Sequence, residues 1–358
     1  MRLLIIVTLF VFTGFQQKAD PLESALDSLV PSLLIEKNVP GVSLAVIKNG
    51  EIILAKGYGK ADIKTNKDVK AQTHFNIGSI SKSLTAWAVV DLSEKGRINL
   101  DSPVMKYIRK WKFPESKYDL NKLTIRRVLS HTGGLSVRGY NGQFVPGDKL
   151  PTLEESLSGY SGSDGSLDFI TEPGTEFRYS SGGYTLLQLL IEEVTQKSFA
   201  TFMKETVFDP LKMRETGYML TGSTATPYKP NKSPWPHYQF VEQGSGGIYT
   251  TASDLAKFIV VFSKKKMLIQ PAVETGGVYG LGCKMAPVSE KTKLISHDGA
   301  NEGWRALYLM QPETTSGIVI LTNSDDGGKV GAPIICKTFS IIGIDMFPLC
   351  ENGVPKQR

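Results

Sequence analysis

Two β-rich stretches stand at opposite ends of this chain with a long helix-patterned segment between them, and that separation limits the possible folds more than any other feature. Near the start, "GVSLAVIKNGEIILAKGYG" (41–59) holds two apolar or alternating runs joined by Asn49-Gly50. That dipeptide is the strongest short-range hairpin signal, because both residues accept a positive φ. Near the end come "TKLISH" (292–297), "WRALYLM" (304–310) and "SGIVILTN" (316–323), with Gly303 ahead of the second and Pro312 to Thr315 turning into the third. A helical tail follows at about 331–342. The middle shows helical spacing over 80–95, 124–130, 184–196, 199–207 and 253–263. Gly96 ends the first of these, and Ser253 and Asp254 open the last. Residues 22–37 also read as a helix, with Pro31 kinking or restarting it. Residues 136–166, rich in Gly, Ser and Asp, read as a long loop. Hairpins from both ends can pair only as one antiparallel sheet, which leaves the middle as a helical insertion. The expectation is an α/β plus α architecture in a single domain over 19–358. Its α/β part is about 19–75 and 265–358, its helical part about 76–264, and a cleft lies between them.

The 358 residues are 41% hydrophobic and 21% charged, an ordinary globular balance without signs of disorder or repeats. The formal net charge is +6, but the basic residues are scattered. The densest run, Lys264-Lys265-Lys266, follows an apolar stretch at a helix end, where cations complement the helix dipole. This argues against a nucleic-acid partner. At the N-terminus, Arg2 precedes "LLIIVTLFVF" and then polar residues to Lys18. That pattern predicts a signal peptide over 1–18 and a secreted or periplasmic protein, since the run is too short to span a bilayer. No second apolar run of spanning length follows. In an oxidising compartment Cys336 and Cys350 could pair and leave Cys283 over; equally, all three could be unpaired small apolar residues. The four histidines, His74, His131, His237 and His297, show no metal-ligand spacing, so neither metal nor cofactor is expected.

"FNIGSISKSLTAWAVV" (75–90) carries the chemistry most visibly. If its helix starts near Ser79, then Ser79 and Lys82 share a face one turn apart. A serine hydroxyl attacks a carbonyl only when a base takes its proton. Lysine serves as that base only when desolvation or nearby positive charge lowers its pKa from about 10.4. A nucleophile at a helix start also aims its own N–H toward a developing oxyanion. The bland reading is a serine N-cap on a hydrophobic helix.

S-x-x-K is a signature of β-lactamases and penicillin-binding proteins. It occurs here together with "VPGVSLAVIKNGEIILAKGYGKAD", "INLDSPVMKYI", "LTIRRVLSHTGGLS", "EPGTEFRYSSGGYTLLQLLIEEVT" and "GSGGIYTTASDLAKF", in that order. On these stretches the chain resembles the class C β-lactamase-like serine hydrolases of the β-lactamase and penicillin-binding-protein superfamily, over roughly 25–345. The resemblance implies a β-lactamase/transpeptidase-like fold and an acyl-enzyme on Ser79, with Lys82 as its cationic partner. The family's Y-x-N reads Tyr179-Ser180-Ser181, making Tyr179 a proton relay that becomes a base beside Lys82. Ser181, in place of Asn, weakens a contact to a substrate amide. The family's K-[ST]-G reads His297-Asp298-Gly299. His297 would carry a pH-dependent charge near 6.5 and bind or polarise the carboxylate end of the substrate. Gly299 would let substrate backbone pair with the strand, and the N–H of Ala300 would be the second oxyanion donor. His131 in "LSHTGG" is implied to be structural, with Gly133-Gly134 capping a helix, and "GSGGIY" (244–249) is a packing turn. The absence of G-x-S-x-G counts against an α/β-hydrolase elbow. The implied substrate is a β-lactam, a D-amino-acid peptide or a small ester. The altered second and third motifs favour peptidase or esterase. The alternative is a penicillin-binding sensor that acylates without turnover.

Overall fold

The Asn49-Gly50 turn folds as its sequence predicts, with φ of 53° and 83° and Lys48 opposite Glu51. It joins β1 (Gly41–Lys48) to β2 (Glu51–Asp62) in a computed structural model that describes residues 20–140, 144–160, 165–272, 276, 278–288 and 292–356. The signal-peptide reading over 1–18 lies outside the described residues. β3 (Lys67–Asp68) adds to β2. From the far end of the chain come β6 (Lys284–Pro287), β7 (Lys293–Asn301), β8 (Trp304–Gln311) and β9 (Ser316–Thr322). The seven form one sheet in the order β3-β2-β1-β9-β8-β7-β6, every pair antiparallel. The β1–β9 pair closes the two ends of the chain onto one another.

The alternation of apolar residues dictates what covers each face. Val42, Leu44 and Val46 of β1, with Ile318 and Ile320 of β9, pack under α1 (Pro21–Glu36) and α10 (Gly331–Ile342). Ala45, Ile47, Val319 and Leu321 face the opposite way into the main core beneath α8 (Ala252–Phe262). Asp20 caps α1, which runs through Pro31 without a break, so the expected restart is not seen. Cys336 on α10 is disulfide-bonded to Cys350, in the short β10–β11 hairpin (Cys350–Glu351, Val354–Pro355). Cys283 is buried and free.

The inserted middle is mostly helical. β4 (Phe75–Asn76) pairs with β5 (Tyr249–Thr250) and bounds it. Between them lie α2 (Ser81–Glu94), α3 (Ile125–Leu129), α4 (Leu153–Leu157), α5 (Ser181–Thr195), α6 (Phe199–Met203) and α7 (Gln243–Gly246), with α9 (Lys266–Ile269) following α8. Three expectations are corrected. The loop expected over 136–166 contains α4, opened by a Thr152/Glu155 capping box. The segment expected as one helix over 199–207 passes from α into a π-helical turn at Lys204–Phe208. β7 does not stop at His297 but continues to Asn301, because residues 297–301 keep their register against β8. No helix among the described residues is long and apolar enough to cross a membrane.

β7 reaches the helical insertion at one tight contact. A Cβ added to Gly299 would lie 1.9 Å from the Ile77 carbonyl oxygen, so only glycine lets the strand lie against the 77–79 turn. Gly299→Ala is therefore expected to lower stability by about 2–3 kcal/mol. Gly331→Ala, at a helical position where an added Cβ meets nothing within 4 Å, should leave the melting temperature unchanged or slightly raised. Thermal unfolding of the two variants beside the parent checks the contrast.

Candidate active site

Asn76 ends β4, and its Oδ1 accepts the Gly78 N–H at 2.9 Å, a side-chain turn that reverses the chain into a 3₁₀ turn at Gly78–Ile80. Gly78 takes φ +49°, and a Cβ there would sit 2.7 Å from the Ala300 nitrogen. Ser79 lies inside this turn and α2 starts after it with no side-chain cap, so Ser79 is not an N-cap serine. Its hydroxyl oxygen instead accepts from Lys82 Nζ at 3.0 Å. Nζ also donates to the Ser245 carbonyl at 2.7 Å, on α7. "GSGGIY" is thus a helical turn and strand start that supplies a wall of the site. The Lys82 side chain is fully buried, and desolvation pushes its ammonium down to about 7 against a weaker upward pull from Asp298. Near neutral pH a large share of Lys82 is therefore free amine, the form that can take a proton from Ser79.

Tyr179 precedes Ser180, which caps α5 by accepting the Gly183 N–H at 3.0 Å. The helix therefore begins at Ser181, three residues ahead of the start read from sequence. The Tyr179 ring lies 5.0 Å from Lys82 Nζ, and its phenol is a hydrogen-bonding neighbour of Ser79. Burial pushes that phenol well above its usual range, which outweighs the opposing Ser79 contact. A phenol held that far up keeps its proton near neutral pH, so beside Lys82 it stands as a hydrogen-bond donor rather than as a phenolate. His131 holds Tyr179 from three directions. Its carbonyl accepts the Arg178 N–H at 2.7 Å, its Nδ1 accepts the Ser180 N–H at 3.1 Å, and its ring lies 4.3 Å from the Tyr179 ring. The left-handed residue after α3 is His131 itself, at φ 59°, so Gly133-Gly134 is not the helix cap expected there. Desolvation keeps the ring neutral.

His297 sits on β7 with its ring centroid 6.5 Å from that of Tyr179. Its Nδ1 donates to the Asp298 carbonyl at 2.7 Å, so in the neutral ring Nε2 is the acceptor of the Tyr279 hydroxyl at 3.0 Å. The side chain is buried, and desolvation holds its pKa down to about 4. The expected charge change near 6.5 is thereby corrected. His297 is neutral at physiological pH and both its nitrogens are engaged inside the protein, so it is not a cation for a substrate carboxylate. Ser181 Oγ donates to the Arg138 carbonyl at 2.9 Å. Gly299 and Ala300 lie against the 77–79 turn: a Cβ on Gly299 would be 3.2 Å from the Ser79 nitrogen. The backbone N–H groups of Ser79 and Ala300 are thus neighbours.

These groups open on a cavity of about 160 Å³ lined by Ser79, Arg138, Tyr140, Ser181, Ala300 and Asn301, among others. Sequence reasoning had missed Asn76, Ser245, Asn301, Tyr279 and Arg138. Asn301 Nδ2 donates to Asn76 Oδ1 at 2.7 Å and to the Gly246 carbonyl at 3.1 Å, tying β7, β4 and α7 around the nucleophile. An Asn two residues before a glycine turn, as in "FNIGS", is a usable turn signal. Nothing local marks Arg138 or Tyr279.

A family model described as "Beta-lactamase" matches residues 26–334. The chain is 26% identical over 332 residues to Protein flp of Staphylococcus aureus (strain NCTC 8325 / PS 47), covering 84% of this chain and 63% of that protein. It therefore spans about three-fifths of that relative's length. It is 28% identical over 309 residues to the putative penicillin-binding protein PbpX of Bacillus subtilis (strain 168), covering 80% of this chain and 71% of PbpX. Among solved structures, the octameric penicillin-binding protein homologue from Pyrococcus abyssi superposes with a TM-score of 0.72 at 25% identity, over 89% of this chain and 76% of that one. A β-lactamase/D-alanine carboxypeptidase from Yersinia pestis shares the fold, with a TM-score of 0.69 at 19% identity, over 86% of this chain and 96% of that one.

Two outcomes follow from this geometry. His131→Phe keeps a ring beside Tyr179 but removes the acceptor of the Ser180 N–H. It should lower kcat about tenfold with KM little changed, as steady-state kinetics on any substrate turned over would show. The rate of Ser79 acylation should rise with pH through about 7 and then level, the profile expected of the uncharged Lys82 amine acting as base. A rate that falls across that range would contradict the assignment.

Proposed function

The chain belongs to the beta-lactamase family, and from that premise we propose that it is a serine hydrolase working through an acyl-enzyme on Ser79. The observation that carries the reading is the Lys82 Nζ–Ser79 Oγ contact of 3.0 Å, with a fully buried lysine pushed down to about 7. Lys82 as free amine accepts the Ser79 proton while Ser79 Oγ adds to the substrate carbonyl. The backbone N–H groups of Ser79 and Ala300 hold the oxyanion. The proton passes from Lys82 by way of the Tyr179 hydroxyl to the leaving group as the carbonyl–leaving-group bond breaks. Water then adds to the acyl-enzyme carbonyl, giving up a proton to the same pair, which returns it to Ser79 Oγ as the acyl carbon–Oγ bond breaks, releasing the acid and restoring Ser79.

The substrate is an amide, β-lactam or ester carbonyl. With His297 neutral and internally bonded, the third-motif cation of the lactamases has no counterpart on β7, which favours peptide or ester over efficient β-lactam turnover. The exposed Arg138 is a cation lining the Tyr179 end of the cleft, where its charge is felt at the phenol. The Cys336–Cys350 disulfide fits the exported location suggested by residues 1–18.

A panel of nitrocefin, p-nitrophenyl esters and D-Ala-D-Ala peptides, run on wild type and Ser79→Ala together, tests the reading. Wild type should turn over at least one class, and Ser79→Ala should lose on the order of a thousandfold or more. Equal rates for the two would overturn it. A stable Ser79 adduct without turnover, seen by intact-protein mass spectrometry, would favour the acylating sensor instead.

A further inference from the structure

The cavity at Ser79 does not end at Ala300. A second one of about 230 Å³ shares Tyr140, Phe240, Ala300 and Asn301 with it and continues past the tip of the β7–β8 hairpin. Three aromatic side chains line this extension: Tyr140, Tyr238 and Phe240. So do three charged residues, Glu302, Arg305 and Asp325. Two of those charges cancel. Asp325 pairs with Arg305 at 3.3 Å and is further held by the Trp235 indole N–H at 2.7 Å and the Gly303 N–H at 2.9 Å. The Arg305 guanidinium also donates to the Asn301 and Trp304 carbonyls at 2.9 and 2.7 Å. Glu302 has no cation within ion-pair distance among the described residues. Its carboxylate neighbours the Tyr238 phenol, and its Oε2 is shielded from water without a donor. What remains is one uncompensated carboxylate beside three aromatic faces. That combination attracts a positive group, through charge and through the ring quadrupoles.

The direction of the extension fixes which part of a substrate it meets. The leaving group must lie toward Tyr179, which returns its proton, and Arg138 stands at that end, lining both the Ser79 cavity and the one beside Tyr179. The acyl portion then runs the other way, past Ala300. We propose that this extension is a subsite for an ammonium group on the acyl portion of the substrate, with Glu302 as its counter-ion and Tyr140, Tyr238 and Phe240 as its walls. The proposal rests on the serine-hydrolase reading above for the orientation of the substrate. A free α-amine and a longer side-chain amine share this chemistry.

Ampicillin and benzylpenicillin form a suitable pair, because they differ by one α-amino group on the acyl side. Acylation of Ser79, followed by intact-protein mass spectrometry, should be roughly tenfold faster with ampicillin. Glu302→Gln should bring the ratio of the two rates close to one. Equal rates in wild type, or a preference that survives Glu302→Gln, would overturn the proposal. A second measurement stands apart from acylation. In the Ser79→Ala protein, NMR titration should show saturable binding of glycinamide or 6-aminohexanamide, but not of acetamide or hexanamide. The shorter or longer amine binding better would identify the α- or side-chain source. Loss of that difference in Ser79→Ala/Glu302→Gln supports Glu302 as the counter-ion, and no difference between amine and neutral amide overturns it. Should neither penicillin acylate while the amines still bind through Glu302, the subsite stands, and the hydrolase reading fails only if the esters and peptides of the panel above are also left untouched by Ser79.

Discussion

Everything at this site depends on an ammonium group that has been taken out of water. Lys82 lies fully buried on the first turn of α2, with the Ser79 hydroxyl and the Ser245 carbonyl as its two hydrogen-bond partners and the rings of Tyr179 and Tyr184 at 5.0 and 5.8 Å. Among the described residues no carboxylate forms an ion pair with it. Its folded pKa of about 7, against 10.5 when solvated, means that the unfolded chain binds the proton more tightly. The fold is therefore penalised fully below about pH 7, by on the order of 4–5 kcal/mol, and the penalty fades as pH rises toward 10.5. A domain of ordinary stability bears a loss of that size only if the rest of the core supplies it. The same loss is what leaves the lysine able to hold a free amine near neutral pH.

Keeping that lysine dry requires the two halves of the chain to meet at one place. α2 and α7 belong to the helical insertion, whereas β7 belongs to the sheet, and the sheet itself exists only because β1 and β9 pair across nearly the whole sequence. Gly78 and Gly299 permit the final approach, since a side chain on either would collide with backbone of the other segment. Asn76 and Asn301 then join the segments by a side-chain hydrogen bond of 2.7 Å. Substituting either glycine would thus push apart the segments that carry Ser79 and Ala300, so that stability and site geometry are coupled through the same contact.

Much of this was legible in the chain. The β1–β2 hairpin follows from Asn49-Gly50, and the Ser79–Lys82 contact matches a three-residue spacing that by itself also fitted a capped helix and was separated from it by the accompanying motifs. Short-range signals of this kind are carried by residues that sit next to one another. What misled was long-range. His131 reads as a helix-ending residue, yet its role is set by Arg178 and Ser180, nearly fifty positions away, and its own positive φ displaced the glycines as the cap. His297 reads as a titratable strand-end histidine, and only burial beside Tyr279 makes it neutral. β7 reads as ending at residue 297, because "DGAN" lacks the apolar residues that mark a strand; its backbone pairing to β8 and its glycine contact decide otherwise.

The neutral His297 also bears on how the site is tuned. Lowering a lysine pKa can be done by desolvation or by a second cation nearby. Here burial is the whole downward contribution to Lys82, and the charge that acts on it, Asp298, pulls the other way. A cation at position 297 is consequently unnecessary for making Lys82 basic at neutral pH, and its removal frees the third motif from that duty. Asp298 is ion-paired to Lys284 on the neighbouring strand, which limits its upward pull on Lys82. Charged side chains also stand at the two ends of the cleft, Arg138 beside Tyr179 and Glu302 beyond Ala300. The groups that set the Lys82 pKa are thus different residues from the charged ones at the two ends of the cleft, so either set can change without the other.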